Sequence, residues 1–149
     1  MPNYLINAVV CDLDGTLLYP QKEAIPVAGR SGVSYLGKEA AKLLVKISQI
    51  CPVVIATGRN AVGTRRLVRQ LPDVLFKGFV FENGFVVKRN INESTHYNRK
   101  WERIAALFPE WERLAFYENC AGFIPPLPER ESAEKMAKTL LKKRVTMIL

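Results

Sequence analysis

Ala8-Val9-Val10-Cys11-Asp12-Leu13-Asp14-Gly15-Thr16-Leu17-Leu18 is the stretch from which the fold can be read. The apolar run from Tyr4 to Cys11 has the length and β-branched content of a buried strand, and it stops at two carboxylates. Residues two apart in an extended chain share a face, so Asp12 and Asp14 project together while Leu13 points into the core. Gly15 permits a turn that most side chains obstruct. Two carboxylates side by side repel each other. A bound divalent cation removes that cost, and hard oxygen ligands suit magnesium. The competing reading of Asp14-Gly15 is a plain hairpin turn.

Downstream, Tyr19 to Ser34 reads as a long loop holding Pro20, Pro26, Gly29 and Gly32. Lys22 and Arg30 in it are candidates to meet a substrate, against the plainer role of solvated loop residues. A helix is expected from about Leu36 to Ile50, capped by Ser34, with Leu36, Ala40, Leu43, Leu44, Ile47 and Ile50 on its apolar face. Val53-Val54-Ile55-Ala56 reads as a short buried strand, and a second helix is expected from Asn60 to about Gln70. The order strand, helix, strand, helix implies right-handed crossovers and a parallel sheet. The fold class is therefore α/β, a Rossmann-like parallel sheet with helices on both faces. Ligands of such sheets sit at the carboxyl ends of strands, where Asp12 and Thr57 both fall. Thr57-Gly58-Arg59 precedes a helix start, a place that favours an anion. Arg59 can contact a phosphate or tie the loop down.

Gly78 to Phe81 and Phe85 to Val87 read as a hairpin around Glu82-Asn83-Gly84. A helix with Trp101, Ile104, Ala105 and Phe108 runs into Pro109, with Trp111, Leu114, Phe116 and Tyr117 beyond it; these aromatics read as core. A Pro-rich bend follows at Pro125, Pro126 and Pro128. The end of the chain reads as an amphipathic helix with Ala133, Met136, Ala137, Leu140 and Leu141 on one face, then a strand from Val145 to Leu149. His96, the one histidine, has no serine or cysteine at suggestive spacing and reads as an exposed loop residue.

The run Asp12-Leu13-Asp14-Gly15-Thr16-Leu17-Leu18 resembles the first motif of the haloacid dehalogenase-like phosphohydrolases, and Thr57-Gly58-Arg59 resembles their second. The resemblance makes Asp12 the nucleophile that takes a phosphoryl group and Asp14 the general acid and base. It also gives Asp12 and the Asp14 main-chain carbonyl to Mg²⁺, and has the Thr57 hydroxyl donate to a phosphate oxygen. Phe81-Glu82-Asn83-Gly84-Phe85-Val86-Val87 resembles the segment where cap-bearing members leave the core, and Asn83 is carried over as a site residue beside Thr57, Gly58 and Arg59. Residues 1–90 are then expected to form the core and 91–149 the start of an inserted α+β cap. The implied substrate is a small phosphorylated metabolite such as a sugar phosphate.

Two elements of the family pattern are not found: a lysine in recognisable context and a later strand ending in acidic residues. Asp12, Asp14 and Asp73 are the only aspartates. Losing one such element from a phosphoryl-transfer site commonly costs a factor of about 10²–10³. The sequence is therefore expected to be the amino-terminal part of a longer phosphatase, with an unpaired sheet edge. Alternatives are a phosphomutase or phosphotransferase of the same superfamily, a catalytically silent phosphate-binding module, and a receiver-like signalling domain.

The 149 residues suit one domain, and the 48% hydrophobic and 24% charged fractions are ordinary for a globular protein. A net charge of +8 is spread over both halves without a nucleic-acid-binding motif. It reads as a surface that draws in anionic ligands, with no nucleic-acid partner. No apolar run reaches the ~20 residues that span a bilayer, and no signal-peptide pattern is seen. Cys11, Cys51 and Cys120 form no C-x-x-C pair. A cytoplasmic protein without membrane partner is expected.

Overall fold

Strand β1 (Val9–Cys11) follows directly from the apolar run, and the helix–strand alternation after it sets up a sheet; the computed structural model describes residues 6–19, 25–28, 32–94 and 96–126. Chain order continues with β2 (Leu18–Tyr19), β3 (Ile25–Ala28), β4 (Val33–Leu36), α1 (Lys38–Ile50), β5 (Val53–Ala56), α2 (Ala61–Val68), β6 (Phe76–Phe81) and β7 (Val86–Lys88). The main sheet has the order β1-β5-β6-β7. Its first three strands are parallel, and β7 returns antiparallel to β6 with Phe81 opposite Val86. The chain is thus α/β with a mostly parallel sheet, as expected, and the hairpin around Glu82-Asn83-Gly84 forms.

The stretch expected to be a loop is instead a second sheet. Strands β2, β4 and β3 pair antiparallel in that order, and Leu36 lies opposite both Leu18 and Ile25. These strands are very short, and Pro26, Gly29 and Gly32 hide their alternation. Pro26 is tolerated because β3 is an edge strand, where a missing N–H costs no central ladder bond. Leu18, Val27 and Leu36 are buried and belong to the same core as the main sheet. Lys22 and Arg30 lie outside the described residues.

Ser34 sits in β4 opposite Val27, so it does not cap α1; Gly37 holds that place without a side-chain bond. The buried face of α1 also differs from the expected one. Leu44 and Ser48 are buried, with Ala40, Ala41, Val45 and Ile47 packed beside them. Leu43 is 55% exposed and Ile50 85%. Leu36 ends β4 and is not part of the helix, and the side of α1 that the sheet covers is centred on Leu44 and Ser48.

Register explains where the core lies. Val53, Ile55, Phe79 and Phe81 project from one face of the sheet and are buried with Leu44 of α1 and with Ala61 and Leu67 of α2. Both helices therefore pack on that one face, not on both faces as expected, because right-handed crossovers that step the same way along the sheet fall on the same side. The opposite face carries Val10 beside Val54, Ala56 beside Val80, and Val87 opposite Val80. Val10 is 64% exposed and Val87 73%. This face and the free side of β1 are bare among the described residues.

The chain divides into two compact units, Met1–Ser94 and Thr95–Leu149. The first closes with Lys88, whose buried ammonium donates to the carbonyls of Glu93 and Ser94 at 3.3 and 3.1 Å. In the second, α3 (Lys100–Ala105) precedes the antiparallel pair β8 (Glu112–Arg113) and β9 (Phe123–Ile124). Phe108, Trp111 and Phe123 form its small core, while Phe116 is exposed. The helix stops at Ala105, short of Phe108. His96 is exposed, as expected. The terminal helix, Pro128 and the Val145–Leu149 strand lie outside the described residues. No helix among those described is long and apolar enough to cross a membrane.

Candidate active site

Leu13 anchors the site. It is fully buried, a burial worth about 1.5–3 kcal/mol, and it separates Asp12 from Asp14, both exposed at the carboxyl end of β1. The chain then knots: the Leu13 carbonyl accepts the N–H groups of Thr16, Leu17 and Leu18 at 3.2, 2.9 and 2.8 Å. Gly15 donates to the Leu18 carbonyl at 2.9 Å, with a φ of +79° that only glycine adopts freely. The two aspartates are held by backbone, not left on a loose loop.

The neighbouring strand supplies the second half. Thr57 is buried, and its N–H extends the ladder to the Val80 carbonyl at 2.9 Å. Its hydroxyl oxygen accepts the Arg59 N–H at 3.2 Å, which leaves the hydroxyl proton free to donate. Asn60, unrecognised as a cap from sequence, starts α2 by accepting the Gly63 N–H at 2.8 Å. Arg59 reaches back across 45 residues to Asp14: Nε donates to Oδ2 at 2.7 Å and the adjacent terminal nitrogen donates to Oδ1. In the structure Arg59 thus ties the loop down, on an aspartate.

That contact changes the electrostatics expected from sequence. The charge on Asp14 is matched by an internal cation, so the repulsion between the two carboxylates is relieved without a metal. Burial pushes the pKa of the Cys11 thiol above its usual value. Asp12 is exposed and makes no ion pair among the described residues.

Whether these residues suit magnesium follows from the donors. The described residues contain no cluster of three or more His, Cys, Asp or Glu side chains. What they offer is the Asp12 carboxylate and the Asp14 main-chain carbonyl, to which nothing among them donates. Magnesium commonly takes one or two protein carboxylates and fills its octahedron with water and phosphate oxygens. The donors fit an ion of that kind, completed by a phosphate ligand.

The β6–β7 turn closes the edge of the site. Glu82 N–H donates to the Arg59 carbonyl at 3.1 Å and Asn83 N–H to the Thr57 carbonyl at 3.3 Å. A methyl group on Gly58 would come within 2.9 Å of Asn83 Oδ1. The structure thus groups Asp14, Thr57, Gly58, Arg59 and Asn83, with Asp12 at the same strand end. Glu82, fully buried at a φ of +55°, was expected only as part of the turn. The lysines of the terminal segment lie outside the described residues.

Comparison with known proteins bears on family and fold. The sequence profile described as haloacid dehalogenase-like hydrolase matches residues 9–112. No curated protein matches the chain. Among solved structures, the fold is similar to that of BT1666 from Bacteroides thetaiotaomicron, described among phosphatases of the haloalkanoate enzyme superfamily. The TM-score is 0.52 at 19% identity over 93% of this chain and 49% of that one. A second, BT4131, described as a subclass IIB sugar phosphatase, matches with a TM-score of 0.46 at 18% identity, over 88% of this chain and 47% of that one. The chain spans about half the length of both. With the profile covering more than two thirds of its residues, the chain belongs to the haloacid dehalogenase-like hydrolase family.

Proposed function

We propose that the site removes phosphate from a small phosphorylated metabolite, such as a sugar phosphate, in the manner of the cap-bearing phosphohydrolases of the family. The observation that carries this reading is the grouping of Asp14, Arg59 and the Thr57 hydroxyl at the ends of two adjacent parallel strands, next to Asp12. Asp12 attacks phosphorus, and the bond from phosphorus to the ester oxygen breaks as an acyl phosphate forms. Asp14, protonated once Arg59 turns from it to the bound phosphate, gives that proton to the leaving oxygen and later takes one from the water that releases phosphate from Asp12. The Thr57 hydroxyl donates to a non-bridging oxygen, and Gly58 lets the backbone approach the phosphate. Asp12 and the Asp14 main-chain carbonyl would hold magnesium, which when bound would supply positive charge to the transferring group. Residues 1–90 act as the core and 91–149 as a substrate-specificity segment. Three free cysteines are in keeping with a reducing, cytoplasmic setting.

A second reading, a phosphate-binding module without turnover, is favoured by the short list of acidic donors among the described residues. One experiment separates them. The full chain is assayed with magnesium on p-nitrophenyl phosphate, and orthovanadate binding is followed by calorimetry. Magnesium-dependent release of phosphate that vanishes in Asp12→Asn supports hydrolysis; vanadate binding without release supports the module. Equal turnover in Asp12→Asn would falsify the nucleophile assignment.

A further inference from the structure

The Glu82-Asn83-Gly84 turn is costly in a way that hairpin formation alone does not require. Three successive residues have left-handed backbone, with φ of +55°, +55° and +98°. Only the last is glycine, and each non-glycine residue there is disfavoured, asparagine least. Strain of this kind persists when surrounding contacts over-determine it. Here two backbone bonds and one side-chain contact of the turn run to one place. The Glu82 and Asn83 N–H groups donate to the carbonyls of Arg59 and Thr57, on either side of Gly58. The Asn83 side chain rests on Gly58 itself, with Oδ1, Cγ and Nδ2 at 2.9, 3.5 and 3.5 Å from where a Cβ would stand.

We infer that Asn83 is a positioning residue: seated on Gly58, it sets the path of the Thr57–Arg59 loop and thereby the grip of Arg59 on Asp14. The argument runs from contact to contact. The turn pins both carbonyls flanking Gly58, so the loop has little freedom to rotate its peptide planes. The Arg59 N–H is then aimed at the Thr57 hydroxyl, and its guanidinium reaches both Asp14 oxygens. A bidentate guanidinium–carboxylate pair is directional, so a shift of the loop breaks it sooner than it would break a lysine contact. Sequence reading had Asn83 as a phosphate contact or a turn residue; this geometry has it act through Gly58 and Arg59. Gly58 is glycine because the asparagine occupies the space a Cβ would need.

Only the consequence for ligand binding rests on the phosphate-handling proposal; the link from Asn83 to Arg59 and Asp14 stands without it. The test uses the full chain labelled with ¹⁵N. Solvent exchange of the Arg59 Nε–H, which donates to Asp14, is measured by NMR, and magnesium-dependent orthovanadate binding by calorimetry. In Asn83→Gly, which relieves the strain but removes the seat, Nε–H exchange is expected to rise about tenfold, the cost of losing one such bond, with no fall in thermal midpoint. Gly58→Ala, which forces the seat apart, is expected to have the same effect. Asn83→Asp, which keeps a planar group over Gly58, should restore exchange to about twofold of the parent. Unchanged Arg59 exchange in both Asn83→Gly and Gly58→Ala overturns the inference even where vanadate binds. Accelerated exchange with no vanadate binding by the parent chain upholds it and removes the phosphate reading instead.

Discussion

Arg59 and Asp14, 45 residues apart in sequence, meet through two parallel N–H···O bonds, one of them 2.7 Å from Nε to Oδ2. The guanidinium is largely enclosed while the carboxylate stays half exposed. An ion pair so placed contributes modestly to stability, because water screens the outer partner. Its effect is on orientation: it fixes the plane of a carboxylate at the strand end.

Arg59→Ala is therefore expected to cost only about 0–1 kcal/mol in unfolding free energy, measured by urea titration. The same variant should weaken vanadate binding or slow turnover about tenfold or more. Arg59→Lys should not restore the loss, since a point charge cannot hold both oxygens.

Thr57→Val keeps the shape of a buried side chain and deletes its hydroxyl. The Arg59 N–H then loses its acceptor, at about 0.5–1.5 kcal/mol. Phosphate or vanadate affinity should fall with it, and calorimetry at fixed magnesium reads the change. Unaltered affinity would remove Thr57 from the site.

Leu36→Ala tests whether the small antiparallel sheet is part of the core or an appendage. Leu36 is fully buried between β2 and β3 and shares its cluster with the main sheet. The expected loss is about 2–5 kcal/mol, seen as a single cooperative shift of the whole unfolding curve. A separate early transition would show the small sheet to melt alone.

Val10→Thr together with Val87→Thr addresses the uncovered sheet face. Each side chain is mostly exposed, so stability should change by no more than about 0.5 kcal/mol. Self-association and binding of a hydrophobic dye should drop, because exposed apolar faces and open strand edges drive both. Light scattering before and after the substitution checks this.

Removal of divalent cations with a chelator should leave the thermal midpoint unchanged. The core that holds β1, β5 and β6 is apolar, and Arg59 already balances Asp14. Vanadate binding, in contrast, should be lost. A fall in midpoint would mean that the metal is structural.

Much of the site was readable from the chain because its chemistry is local. A strand ending in Asp12-Leu13-Asp14-Gly15 and another ending in Thr57-Gly58-Arg59 announce themselves by period, punctuation and charge, and parallel pairing puts their ends together. The apolar runs of β5 and β6 likewise foretell buried strands, though not that burial would alternate along them. Periodicity worked less well in β2, β3 and β4, where strands of two to four residues are too short for a pattern to rise above Pro and Gly. It also misjudged the buried face of α1, where Ser48 is buried and Leu43 and Ile50 are exposed, because apolar spacing does not say which side of a helix the sheet covers.

What the amino-acid order determined by itself is the pair of acidic and threonine-bearing strand ends, because strand and helix periods and turn residues act over a few positions. Only the tertiary structure decided that Arg59 turns to Asp14, that Asn83 sits on Gly58, and that one sheet face is bare among the described residues. Those outcomes depend on register and on which loops meet in space, and neighbours along the chain carry no record of either.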